Sequence, residues 1–308
     1  MASMLLTFSR PTNDQVMRAK LFGVGSAGCS IIENSRFPTV AFSTSIDDLG
    51  KSHAQRKVLV GPDRLVGVAH VRHGIIKHLT SVVGHELLDI FNNTDLAFLM
   101  CGLGGLTGSL GSQVLAEVCR AKGIPCIVVA ATPFSVESIR RRETASRAIE
   151  NLLKASMLCL VFDNDKLSSL APNMPLSRVF AVMNSIMMRP VLDVISSLPR
   201  SELPSLKQVL GDSSYARFGL GLGRGDERVE RAVMEAMDSP WFDFPLSEAE
   251  AALVVYSSAD PWDREAERIV DQVKARLPNA RIAFGSYADT TLNDRIRVSV
   301  VVARARRT

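Results

Sequence analysis

The chain has no CxxC pair, no run of about 18 apolar residues, no GK[ST] phosphate loop and no histidine after His85, and each absence closes a class of function. Its five cysteines, Cys29, Cys101, Cys119, Cys126 and Cys159, stand singly in apolar surroundings. The expectation is therefore buried thiols in a reducing compartment, not disulfides or a metal site. With no long apolar run and the polar start MASMLLTFSRPTNDQ, neither a membrane span nor a secretory leader is expected. The chain reads as cytoplasmic, without direct membrane contact. Charge is close to balanced, 36 Lys and Arg against 32 Asp and Glu, and the excess sits at Arg140, Arg141, Arg142 and in the tail. That is no nucleic-acid footprint. There is no internal repeat and no low-complexity linker.

What is present is a chain of 308 residues, 46% hydrophobic, long enough for two domains with cores of their own. In the first half short apolar runs (19–25, 39–45, 96–102, 125–132, 157–163) alternate with helical patterns (111–123, 135–156). That alternation predicts α/β architecture on a parallel sheet. The apolar stretch SRVFAVMNSIMMRPVLDVISSL (177–198) predicts a long central helix, kinked or broken at Pro190. Beyond it GLGRGDERVERAVMEAMDSP reads as a glycine turn opening an amphipathic helix. Strands at 251–258, 280–287 and 295–305 and a helix at 263–278 complete a smaller α+β unit.

Two glycine loops leave strands and open helices. GVGSAG, with Gly23, Gly25 and Gly28 and with Asp47 and Asp48 about twenty residues on, fits a dinucleotide fingerprint, and also a tight turn with no ligand. CGLGGLTGSLG places Gly104, Gly105, Leu106, Thr107 and Gly108 at a second helix start. Two such helix starts on one sheet suit a polyphosphate better than one does. TPFSVESIRRR adds Glu137 and Arg141 for a sugar or base edge, or for a solvated helix face. His70, His73 and His78 are spaced poorly for a metal and read as solvated or capping residues, while Trp241 and Phe242 read as core.

Five stretches in unbroken order resemble the FtsZ/tubulin superfamily, and FtsZ more than tubulin. GGLTGSLG (104–111) is similar to the family's GGGTGTG loop, PFSVESIRRRETASRAIENL to its PFxFEGRRR segment, and DNDKL (163–167) to its PNDKL. GLGLGRGDERVERAVMEAMDSP and TTLNDRIRVSVVVA resemble its later glycine segment and closing strand. The resemblance implies a Rossmann-like parallel-sheet GTPase domain (1–176), a long central helix (177–199) and a smaller α+β C-terminal domain (200–308). It also implies a head-to-tail homopolymer, with hydrolysis of GTP to GDP, with magnesium, between subunits. Carried over, Gly25, Ser26, Ala27, Gly28 and Ser30 form the first phosphate loop and Gly104, Gly105, Leu106, Thr107 and Gly108 the second. Glu137 and Arg141 meet the ribose and base, Phe180 and Asn184 the base, and Glu202 stands in the catalytic acidic loop.

Several positions depart from the family pattern. Ser26, Ala27 and Leu106 stand where the family has glycine, Ser30 where it has asparagine, and Ser185 where it has the guanine-reading aspartate. In SLPRSELPSLKQVL (197–210) Glu202 and Ser205 replace the two loop aspartates and Arg200 the asparagine. The expectation is a guanine-nucleotide-binding filament protein with weak or absent hydrolysis. The alternative is a relative that needs no nucleotide and forms filaments or modulates another FtsZ. A third reading, an NAD-type oxidoreductase, rests on GVGSAG alone.

Overall fold

The computed structural model describes residues 5–8, 16–63, 86–170, 174–211 and 214–305. They fall into two compact units, Arg18–Met188, and Met1–Met17 with Arg189–Thr308. The first strand, β1 (Leu5–Thr7), belongs to the second of these.

In the unit 18–188 the strands are β2 (Ala19–Val24), β3 (Thr39–Ser43), β4 (Arg56–Leu59), β5 (Leu96–Gly102), β6 (Cys126–Thr132) and β7 (Leu158–Asp163). All pair in parallel, in the order β7-β6-β5-β2-β3-β4. A parallel sheet is covered on both faces, so its strands are apolar nearly throughout and not alternating. Phe22, Phe42, Phe98 and Phe162 are fully buried in it, each contributing roughly 1.5–3 kcal/mol. The helices are α1 (Gly25–Ile31), α2 (Ile46–Lys51), α3 (Ser112–Ala121), α4 (Ile139–Ala155) and α5 (Asn164–Leu170). α3 buries Val114, Leu115, Val118 and Cys119, a stripe at helical spacing. α4 starts where the Ser138 hydroxyl accepts the Arg141 amide. Among the described strands of this unit, β4, short and largely exposed, is the one the sequence did not suggest.

The central helix α6 (Leu176–Ser197) is unbroken through Pro190, contrary to a break there. Proline has no amide to give the Ile186 carbonyl, but burial of Pro190 holds the helix together across the gap. Ser177–Ser197 is long and apolar enough to cross a membrane by length and composition, which the sequence reading did not find. Buried Val179, Met183, Met187, Val191 and Val194 recur every three or four residues along it, the pattern of a helix facing a core.

In the other unit α7 (Leu203–Leu210) precedes β8 (Ser214–Arg224), α8 (Arg228–Met237), β9 (Ala251–Ser258), α9 (Asp263–Arg276), β10 (Arg281–Ala288) and β11 (Arg295–Ala305). The sheet order is β1-β10-β9-β11-β8; β11 is antiparallel to both neighbours, and β1, β10 and β9 are parallel. Its core gathers Tyr256, Ile269, Val273 and Val298. Trp241 is buried and Phe242 packs against this core, in keeping with the core reading. Of the three glycines expected as a turn, Gly225 is in one, while Gly221 and Gly223 are instead strand. Gly219, Gly221 and Gly223 lie in β8, and a Cβ on them would fall 1.9, 2.0 and 1.7 Å from the carbonyl oxygens of Ala236, Ala232 and Arg228. α8 therefore lies directly on the strand backbone, and the turn is confined to Gly225–Glu227, with Gly225 at φ +78°. The segment expected as an acidic loop is mostly helix α7, with Pro204 in the first turn, where proline is tolerated. All five cysteines are buried free thiols, and burial pushes Cys101 up to about 12. His70, His73 and His78 lie outside the described residues.

Candidate functional site

Strand order reverses between β2 and β5, because the chain leaves β2 toward β3 and β4 on one side and β5 toward β6 and β7 on the other. Helices then depart in opposite senses, and a crevice opens at the carboxyl ends of the two strands. Both glycine loops fall there. Gly25, at φ +71°, follows β2 and opens α1, and a Cβ on it would lie 3.3 Å from the Gly108 amide and 3.4 Å from Thr107 Cβ. The loops therefore touch. Glycine is required at Gly28 and Gly108, where a Cβ would fall 2.1 Å from the Met100 oxygen and 2.0 Å from the Gly102 oxygen.

The second loop takes its positive φ at Gly104 (+96°). Leu106 sits in the right-handed helical region, φ −57°, ψ −58°, so leucine in place of glycine costs the backbone nothing there. Its side chain is 42% exposed. Thr107–Gly111 forms one π-helical turn leading into α3, a departure from regular helix that recurs at functional sites. The Ser109 hydroxyl accepts the Gly104 amide at 3.0 Å, and the Thr107 and Thr44 hydroxyls share a hydrogen bond of 2.6 Å.

An anion fits this corner on two observations. The first amides of a helix have no acceptor within it, and neither α1 nor the Thr107 turn carries an acidic residue in its first turn. A Cβ at Gly105 would meet nothing within 4 Å, so open space adjoins the loop backbone. The Arg141 backbone packs on Gly104, with its carbonyl oxygen 3.1 Å from where a Cβ would lie. Ser26 and Ala27 occupy the first turn of α1, and Ala27 Cβ is 2.8 Å from the Cβ position of Gly102, so glycine is needed at 102 beside alanine at 27.

Glu137 and Arg141 bind one another, Nε to Oε2 at 2.9 Å, and Glu137 also accepts the Phe134 amide at 2.9 Å. The pair expected to meet a ribose and base thus ties the segment before α4 to its first turn. Asn184 on α6 donates to the Ser30 hydroxyl at 3.0 Å, which brings two base-side candidates together. Phe180, 42% exposed, meets Phe134 edge to face with ring centroids 6.0 Å apart. Ser185 turns its hydroxyl back onto the Ala181 carbonyl at 3.0 Å. Glu202 stands at the N-cap position of α7 without a side-chain capping bond and belongs to the other compact unit. Sequence reasoning missed Thr44 and Phe134, which touch Thr107 and Phe180 across the fold with no spacing signal, and Ser109, which bonds Gly104 within the same loop; it also missed Asp165, which accepts the Ser135 amide and hydroxyl.

A sequence profile of the Tubulin/FtsZ family GTPase domain matches residues 18–172, and one of the FtsZ family C-terminal domain matches 214–305. The chain belongs to the Tubulin/FtsZ family. It is 33% identical over 94% of its length to the cell division protein FtsZ of Methanothermobacter thermautotrophicus, of which the match covers 80%. It is 31% identical over 93% of its length to FtsZ 1 of Thermococcus kodakarensis, covering 81% of that protein. Among solved structures an empty FtsZ dimer from M. jannaschii superposes with a TM-score of 0.83 at 26% identity, covering 94% of this chain and 89% of that one. CetZ2 of Haloferax volcanii, solved as a GTPγS-bound protofilament, shares the fold with a TM-score of 0.73 at 20% identity, covering 95% and 94%. The protein is thus a cytoskeletal protein of the FtsZ/tubulin type, with a GTPase-type α/β domain and an FtsZ-type C-terminal domain. The oxidoreductase reading of GVGSAG is set aside.

Proposed function

We propose that this chain binds a guanine nucleotide with its phosphates between Gly25–Ser30 and Gly104–Gly108, assembles head to tail into filaments, and hydrolyses GTP slowly if at all. The observation that carries the reading is the contact of Gly25 with Thr107 and Gly108, which turns two helix starts free of carboxylates onto one corner of the sheet. Glu137 and Arg141 face the sugar, and Phe180, Asn184 and Ser30 the base. A bound nucleotide supplies the polyphosphate charge and, with magnesium from solution, the scissile bond; the chain's own part is to hold and orient it. Glu202 is the one carboxylate left in the former acidic loop to orient water for a neighbouring subunit's nucleotide. A head-to-tail interface does not close on itself and so builds open polymers. The relatives named cell division protein FtsZ and the CetZ2 protofilament support assembly as the output.

A second reading, assembly without nucleotide, is favoured by Ser185. Its hydroxyl is spent on Ala181, leaving no carboxylate there for the guanine edge. High-speed pelleting with GTP, GDP, ATP or no nucleotide at matched magnesium, with released phosphate measured in the same tubes, separates the two. Pelleting that requires GTP supports binding at the loops, and its phosphate count measures what Glu202 achieves. Pelleting that ignores nucleotide supports the second reading.

A further inference from the structure

The outermost strand of the sheet in the unit 189–308 comes from the opposite end of the chain. β1 pairs with β10 through only three residues, Leu5 with Ile282, Leu6 with Ala283 and Thr7 with Phe284, and the Phe8 amide adds a bond to the Phe284 carbonyl at 2.8 Å. Its grip is narrow. Leu5 and Thr7 are exposed and Leu6 half-buried; Phe8, 4% exposed, is the one deeply buried anchor. Leu6 and Phe8 share a face by strand alternation. The acceptor is built differently, since β10 is held along eight residues by β9, and Ile282, Ala283 and Phe284 are all buried. A lightly held donor therefore lies on a rigid acceptor edge.

We propose that the outer edge of β10 is a strand-acceptor site that takes residues 5–8 of a second copy of this chain in place of the protein's own. An extended segment adds to such an edge through main-chain hydrogen bonds, with an apolar anchor setting the register, here Phe8. A second copy carries the same Leu6 and Phe8, so it makes the same contacts, and exchange links two copies without a new surface. The protein's own strand wins in dilute solution through its effective concentration, and exchange gains as copies are crowded together. This surface is separate from the glycine loops and does not depend on nucleotide.

The test uses the full chain carrying Phe8→Asp, which vacates its own edge, without nucleotide. A fluorescent peptide of residues 1–10 is expected to bind this variant at least tenfold more tightly than it binds the unmodified protein, and a Phe8→Asp peptide is expected to bind neither. Unmodified chains concentrated to hundreds of micromolar should sediment in part as a dimer that excess peptide dissolves, while Phe8→Asp chains, which have no competent strand to exchange, stay monomeric. No peptide binding by a variant that keeps its circular dichroism and melting transition overturns the proposal. So does equal binding of the Phe8→Asp peptide, and peptide binding with no dimer of unmodified chains overturns the second copy as occupant. Should Phe8→Asp not fold, Phe8→Ala vacates the same place and carries the same outcomes.

Discussion

At the scale of single residues, glycines in one loop serve different ends. Gly108 is fixed by the fold, because any Cβ strikes the Gly102 oxygen, whereas Gly105 faces open space and its φ lies outside the left-handed range. Gly105→Ala therefore separates ligand from fold. Stability should stay within about 0.5 kcal/mol in a denaturant titration, while GTP affinity measured by titration calorimetry falls about tenfold as the methyl enters the phosphate space, a loss of about 1.4 kcal/mol. Ser185→Asp tests the base side. A carboxylate able to accept from guanine adds a charge-assisted bond of about 1.5–3 kcal/mol. The ratio of GTP to ATP affinity should rise by about tenfold or more, read by competition with a fluorescent nucleotide.

At the scale of elements, α8 and β8 meet backbone to backbone. Gly219, Gly221 and Gly223 bring α8 carbonyls within reach of strand Cα hydrogens, an approach that any side chain ends. Gly221→Ala puts a methyl 2.0 Å from the Ala232 oxygen, so helix and strand must part. The expected cost is about 3 kcal/mol, seen as a lowered melting temperature, with nucleotide binding in the other unit kept. Gly221 and Gly223 were plain in the sequence but suggested a turn, because turn and close approach call for the same residue. Strand pairing decided between them, since Gly219, Gly221 and Gly223 stand in register with Val300, Val298 and Ile296.

At the scale of the whole molecule, stability depends on pH through a few partly buried pairs. Burial raises the carboxyl of Asp243, but the hydrogen bonds and charge of Arg217, helped by Tyr215, outweigh it and hold the group below its usual value. Asp289 is likewise depressed, burial being outweighed by Thr291 and Arg297. A depressed carboxyl stabilises the fold above its unfolded value of about 4, and that contribution is lost as pH falls through the folded value. A chain with both Asp243→Asn and Asp289→Asn should melt lower at pH 7 and lose less between pH 7 and pH 3 than the unmodified chain, as thermal melts at the two pH values will read. Tyr256 and Tyr287, both pushed up to about 12 chiefly by burial, act at the alkaline end. Their contribution is complete below about pH 10 and fades as pH rises through the folded value.

The sequence by itself determined the α/β alternation, the long central helix, the two glycine loops and the family, because these live in local periodicity and contiguous motifs. Apolar runs such as LAFLMCG became the buried parallel strands they resembled. Tertiary structure alone decided that Gly25 touches Thr107 and Gly108, that Asn184 reaches Ser30, that Thr44 and Phe134 join the site, and that residues 5–8 complete a sheet built from the far end of the chain. Those contacts join residues that strand order brings together, and no local spacing encodes which strand will lie beside which. Leu106 marks the boundary between the two kinds of knowledge. Its identity was plain in the sequence, and only the backbone placed it in the helical region, where leucine fits without strain.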